Sequence, residues 1–130
     1  MRRAIALSLL VIGIIAAATV AFSAFSVHKN PPSTSSMKVV YVSIIPDASS
    51  YATGYDPDNI TVVIGVNNTV VWTNNDNIPH TVTASDGSFD SGNMNPGATF
   101  TYTFTKPGSY QYICTIHPWM HGYVTVISDG

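Results

Sequence analysis

Cysteine occurs once in these 130 residues, at Cys114, and glutamate does not occur at all. A lone cysteine excludes an internal disulfide, a Cys-x-x-Cys pair and a cysteine-rich zinc site. Charge is scarce too: 9% of residues carry it, against 45% that are apolar. The deficit is concentrated in one place, since no charged side chain occurs from Ala4 to Phe25, "AIALSLLVIGIIAAATVAFSAF". Basic residues are sparse after Met37, where Lys38 and Lys106 stand against seven aspartates. That part is therefore acidic and offers no basic patch to a phosphate backbone, which argues against nucleic acid as a partner.

What is present begins with the apolar run. As a signal peptide it would use Arg2 and Arg3 as the charged end and the alanines at Ala16–Ala18 as the cleavage site. As a membrane anchor it would use the whole run, which matches the roughly 20 residues needed to cross the hydrocarbon. The apolar character continues past the alanines through Val20, Phe22 and Phe25, which favours the anchor. Either way Arg2 and Arg3 stay inside and the remainder is exported. The expected organisation is an anchor or signal helix over residues 1–25, a polar linker "SVHKNPPSTSS" over 26–36, and one domain over 37–130. His28 falls in the linker and reads as solvated.

From Met37 the chain reads as short strands separated by turn signals. "MKVVYVSII", "ITVVIG", "TVVWTN", "HTVTA", "ATFTYTFT", "SYQYIC" and "GYVTVIS" are the strand candidates; "SSYATGYDPDN" and "SDGSFDSGNMNPG" read as loops, and "VNN" as a turn. "ATFTYTFT" alternates strictly, with Phe100, Tyr102 and Phe104 inward and threonines outward. Tyr110, Tyr112 and Cys114 share one face, and Trp72 reads as core. Seven or eight strands without a helix predict an all-β fold, a two-sheet Greek-key sandwich of antiparallel strands. Asn59 and Asn67 open glycosylation triplets, which also occur often by chance.

The stretch "YQYICTIHPWMHGYVTV" carries the chemistry. Cys114 ends an inward-facing strand, Pro118 prevents the next residues from forming a regular helix, and His117 and Met120 are carried around the same point. His80 supplies a fourth group: it opens a strand directly after Pro79, whose fixed backbone orients it. A thiolate, two imidazoles and a weak thioether are the donors expected of a blue-copper electron-transfer site. Zinc can use two histidines and one cysteine, but gives no reason for Met120.

The segment "WTNNDNIPHTVTA…GNMNPGATFTYTFTKPGSYQYICTIHPWMHGYVTV" resembles the cupredoxins, in particular the plastocyanin/amicyanin group, over roughly Tyr55 to Ile127. The resemblance implies one copper ion cycling between Cu(II) and Cu(I), with His80, Cys114, His117 and Met120 as ligands. The Cys-x2-His-x2-Met spacing is similar to the short amicyanin loop. Ile116 stands where such loops commonly carry proline, and Trp119 replaces a smaller aromatic. The resemblance further implies that the backbone N–H of Thr81 bonds the thiolate. Asn75 is a candidate tie between the two ligand loops, and His121 reads as a surface residue. The apolar rim expected around His117 comprises Pro118, Trp119, Met94 and Pro96, with Ile78 and Pro79 beside the other histidine.

The function expected is an exported, membrane-tethered monomer that shuttles single electrons between redox protein partners, such as a cytochrome or a membrane oxidoreductase. The alternative is a copper-delivery protein without a redox role. An oxidase or reductase would need a second copper centre, and only His28 and His121 remain to build one.

Overall fold

The computed structural model describes residues 36–130. Eight strands follow in order: β1 Val39–Ile44, β2 Tyr55–Asp56, β3 Asn59–Val63, β4 Thr69–Asn74, β5 Thr83–Ala84, β6 Thr99–Thr103, β7 Gly108–Ile113 and β8 His121–Ile127. They make two four-stranded sheets, ordered β2-β1-β4-β6 and β3-β8-β7-β5. The expected all-antiparallel pairing needs correction, because β1 runs parallel to β4 and β3 parallel to β8. The chain crosses from one sheet to the other at every connection from β2–β3 to β6–β7. Most sequential strands therefore land in different sheets and meet their neighbours in either direction.

Two-residue alternation puts β-branched and aromatic side chains between the sheets. Val42 and Ile44 of β1, Val70 and Trp72 of β4, Ile60 and Val62 of β3, and Val124 and Val126 of β8 are all buried. Trp72 lies at the centre, with Phe89 stacked at 5.8 Å, Phe100 at 5.7 Å and Tyr112 edge-on at 5.5 Å between ring centroids. Burying such a ring stabilises the fold by about 2–3 kcal/mol. The threonines of β6 are exposed as expected, whereas Phe100 and Tyr102 are only half-buried because β6 is the edge of its sheet.

The loops hold more order than their composition suggested. "SSYATGYDPDN" contains β2 and, at Ser49 and Ser50, the end of a 3-10 turn, Ala48–Ser50. In "SDGSFDSGNMNPG", Phe89 and Met94 are core residues, 4% and 3% exposed. The strand expected from His80 shrinks to Thr83–Ala84, with isolated bridges from His80 to Met94 and from Thr83 to Asp90. The apolar run and nearly all of the linker lie outside the described residues. Among the described residues, no helix is long and apolar enough to cross a membrane.

Candidate metal centre

β1, β4 and β7 all end at one pole of the sandwich, and the chemistry gathers there. Cys114 follows β7 with its thiol fully buried. Its N–H donates to the Met120 carbonyl at 3.2 Å, and the Met120 N–H donates to the His117 carbonyl at 2.9 Å. These bonds close residues 114–120 into a compact turn. Met120 is buried inside it, while His117 is half-buried at the rim. His80 enters from the other sheet connection, fastened by paired backbone bonds to Met94 of 3.1 and 2.8 Å.

His80 Nδ1 and His117 Nδ1 lie 3.7 and 3.6 Å from Cys114 Sγ. All three donor atoms fall within 4.8 Å of one another. This is the one such cluster among the described residues. Soft thiolate, imidazole and a buried thioether close by suit copper in both oxidation states, because the sulfurs favour Cu(I) and the imidazoles suit Cu(II).

The surrounding bonds orient these donors. The Thr81 N–H points at Cys114 Sγ at 3.4 Å, matching the bond that the resemblance implied. The two ligand segments are tied by Thr81, not Asn75: Thr81 Oγ1 accepts the Thr115 N–H at 2.8 Å. Asn75 instead reaches back to β1, donating to Ser43 Oγ at 2.7 Å. The neighbouring Asn74, fully buried, donates to the carbonyls of Ile78 and Met94 at 2.8 and 2.9 Å and so braces the His80 loop.

Asp76 was not singled out in the sequence. It is 5% exposed, and its Oδ2 lies 2.7 Å from His80 Nε2. An Nε2–H donated to this carboxylate leaves the Nδ1 lone pair facing the thiol, which is the tautomer a metal needs. Burial alone would raise the Asp76 pKa, but the bonds from His80 and from the N–H groups of Asn77 and Asp47 outweigh it and hold the carboxyl below its ordinary value. The His117 pKa is lowered, by burial first and then by His80. The only advance signal for Asp76 was its position four residues before His80, and Asp in an "NNDN" stretch reads as a turn residue.

Of the expected rim, Pro118, Trp119 and Pro96 are exposed, as is Pro79, and Ile78 is half-buried. Met94 does not belong to it, because its side chain is in the core. Ile116, 43% exposed, takes its place. Trp119 lies edge-on to His117, with centroids 5.5 Å apart. His121 is outside the cluster and half-buried, its Nδ1 3.0 Å from the Trp119 carbonyl.

Known proteins agree with this architecture. The family described as "Cupredoxin-like domain" matches residues 13–126. Amicyanin-alpha of Methylorubrum extorquens is 36% identical over 70 residues, which are 50% of this chain and 59% of that protein. The chain spans little more than half the length of the curated amicyanins it matches. Among solved structures, a purple cupredoxin from Nitrosopumilus maritimus superposes with a TM-score of 0.61 at 33% identity, covering 68% of this chain and 99% of that one. A copper-containing nitrite reductase from Thermus scotoductus superposes at 0.56 with 28% identity, over 68% of this chain but 22% of its own. Two sheets closing over a buried thiol and paired imidazoles, together with these matches, place the chain in the cupredoxin-like family, of the amicyanin/plastocyanin type, with one copper ion as its cofactor.

Proposed function

We propose that this chain is an extracytoplasmic one-electron carrier whose copper is held by His80, Cys114, His117 and Met120. The observation that carries the reading is the convergence of His80 Nδ1, Cys114 Sγ and His117 Nδ1 within 4.8 Å. Copper bound there supplies a one-electron couple between Cu(II) and Cu(I). The protein's part is to hold the donors still: Thr81 bonds the sulfur and the neighbouring loop, and Asp76 fixes the His80 ring. Donors already in place need little rearrangement when an electron arrives. The half-buried His117 carries the site to the surface, and Ile116, Pro118, Trp119, Pro96 and Pro79 give it an apolar rim suited to a brief encounter with a redox protein. A cytochrome or a membrane oxidoreductase fits that role, with the Ala4–Phe25 run as tether. A second copper centre would need more histidines than His28 and His121 supply, so the chain acts as a carrier and not as an enzyme.

The test is the visible spectrum of the copper-loaded protein. An intense thiolate-to-copper band is expected, and Cys114→Ser should abolish it. Copper bound without such a band would instead support delivery without electron transfer, and a serine variant that keeps the band would rule out the ligand set.

A further inference from the structure

Glycines serve two different purposes in this chain. Gly65, Gly87 and Gly97 have φ of +81°, +80° and +82°, and a Cβ on any of them would meet nothing within 4 Å. They are turn glycines, there for backbone conformation. Gly54 is the opposite case. It is buried, and it is not among the residues of positive φ. A Cβ there would lie 2.6 Å from the Ala48 carbonyl oxygen, 2.8 Å from Met120 Cε and 3.0 Å from Ala48 Cβ. Space, not dihedral angle, is what requires glycine at this position.

The wall that Gly54 belongs to is rigidly mounted. Ile45 donates its N–H to the Gly54 carbonyl at 3.1 Å, and the Ala48 carbonyl accepts the Tyr51 N–H at 3.1 Å. The Asp47 N–H bonds Asp76 Oδ1 at 3.0 Å. The Ser49 carbonyl accepts the Trp119 indole N–H at 2.7 Å, and the Ala52 carbonyl accepts the His121 N–H at 3.0 Å. Beyond Gly54, the Tyr55 hydroxyl donates to the Thr81 carbonyl at 2.6 Å. Residues 45–55 are thus bolted to both ligand-bearing segments. A methionine has three rotatable bonds and a soft thioether, so left alone it fills whatever space it is given. Here the space ends at Gly54.

We propose that Gly54, backed by Ala48, is a positioning residue for the Met120 thioether: it sets where the methyl rests and thereby how strongly the sulfur can reach the copper. The inference rests on the reading of Met120 as a ligand. A Cβ at position 54 would meet the Ala48 carbonyl oxygen at 2.6 Å as well as the methyl at 2.8 Å, so the backbone must give at the first contact while the flexible methionine is displaced at the second.

Three variants and one measurement on the unaltered protein test this. Gly54→Ala should change the relative intensities of the thiolate-to-copper bands and shift the reduction potential. Both changes should largely vanish when Gly54→Ala is made in a Met120→Ala protein, the non-additivity expected of residues in contact. Equal shifts with and without Met120 would overturn the proposal while leaving the ligand reading intact. If Met120→Ala itself leaves bands and potential unchanged, both readings fall. Should Gly54→Ala not fold, proton NMR of the wild-type Cu(I) protein decides: a cross-relaxation peak between the Met120 methyl and the Gly54 α-protons is expected, and its absence overturns the proposal.

Discussion

Thr81 makes contacts in several directions, each to a different part of the site. Its N–H reaches the Cys114 sulfur, its carbonyl accepts the Tyr55 hydroxyl, and its Oγ1 accepts the Thr115 N–H and lies 3.0 Å from Thr83 Oγ1. Asp76 is equally specific, and its carboxylate adds negative charge behind His80. Negative charge near a metal favours the more oxidised ion. Asp76→Asn should therefore raise the reduction potential and weaken Cu(II) binding about 10–100-fold, the usual cost of losing a partner behind a metal-bound histidine. Redox titration and chelator competition read both effects, and an unchanged potential would mean the carboxylate does not act on the metal. Acid should also act through these residues in the copper-free protein. The His117 pKa is lowered from 6.5, so on acidification the unfolded chain takes up that proton first. Its contribution to stability is complete above pH 6.5 and is lost as pH falls through the lower folded value. Asp76, held below 3.8, adds a second loss only at more acid pH. Thermal midpoints of the copper-free protein should fall from about pH 7 to about pH 5; a flat profile there would contradict this.

At the scale of elements, β2 and β7 place two tyrosines side by side with opposite roles. Tyr55 and Tyr112 pack edge-to-face at 4.8 Å, and both rings are fully buried. The Tyr55 hydroxyl bonds the Thr81 carbonyl, whereas the Tyr112 hydroxyl, beside the Trp72 indole, makes no well-formed hydrogen bond among the described residues. The Tyr112 ring lies across Gly122 of β8, where a Cβ would come within 2.3 Å of it. Tyr55→Phe should cost about 1–3 kcal/mol, since it leaves a buried carbonyl unpaired. Tyr112→Phe should be nearly neutral, because the ring does the packing and the hydroxyl makes no well-formed bond. Urea unfolding of the two variants makes the comparison, and equal destabilisation would contradict it.

At the scale of the whole molecule, the site and the apolar rim of the described residues occupy the same pole, so under the proposed function contact with a partner and access to the copper coincide. Trp119 is 53% exposed there and also ties the ligand loop to the Ala48–Ser50 turn through Ser49. Trp119→Ala should slow electron exchange with a redox partner while leaving copper content nearly unchanged. It should also cost about 0.5–1.5 kcal/mol of stability for the lost hydrogen bond. Stopped-flow rates at low and high salt, set beside metal analysis, check this; unchanged rates would show that electrons leave by another route.

Local residue order by itself determined most of the strands, though not β2, and the candidate donors. Strict alternation in "ATFTYTFT" can satisfy a buried face only as a strand. Cys114, His117 and Met120 fall within one short turn, so no folding is needed to bring them near each other. The fourth donor, His80, was legible because proline orders the residue after it. Contacts between segments far apart in the chain were decided by tertiary structure alone. Asp76 is an ordinary turn residue until His80 folds back over it, Asn74 rather than Asn75 is the brace because the strand's alternation turns its side chain inward, and Met94 is core because it pairs with His80. Gly54 looks like any loop glycine in sequence. Its meaning comes from Met120, sixty-six positions away, because excluded volume acts between atoms that only the packed fold brings together.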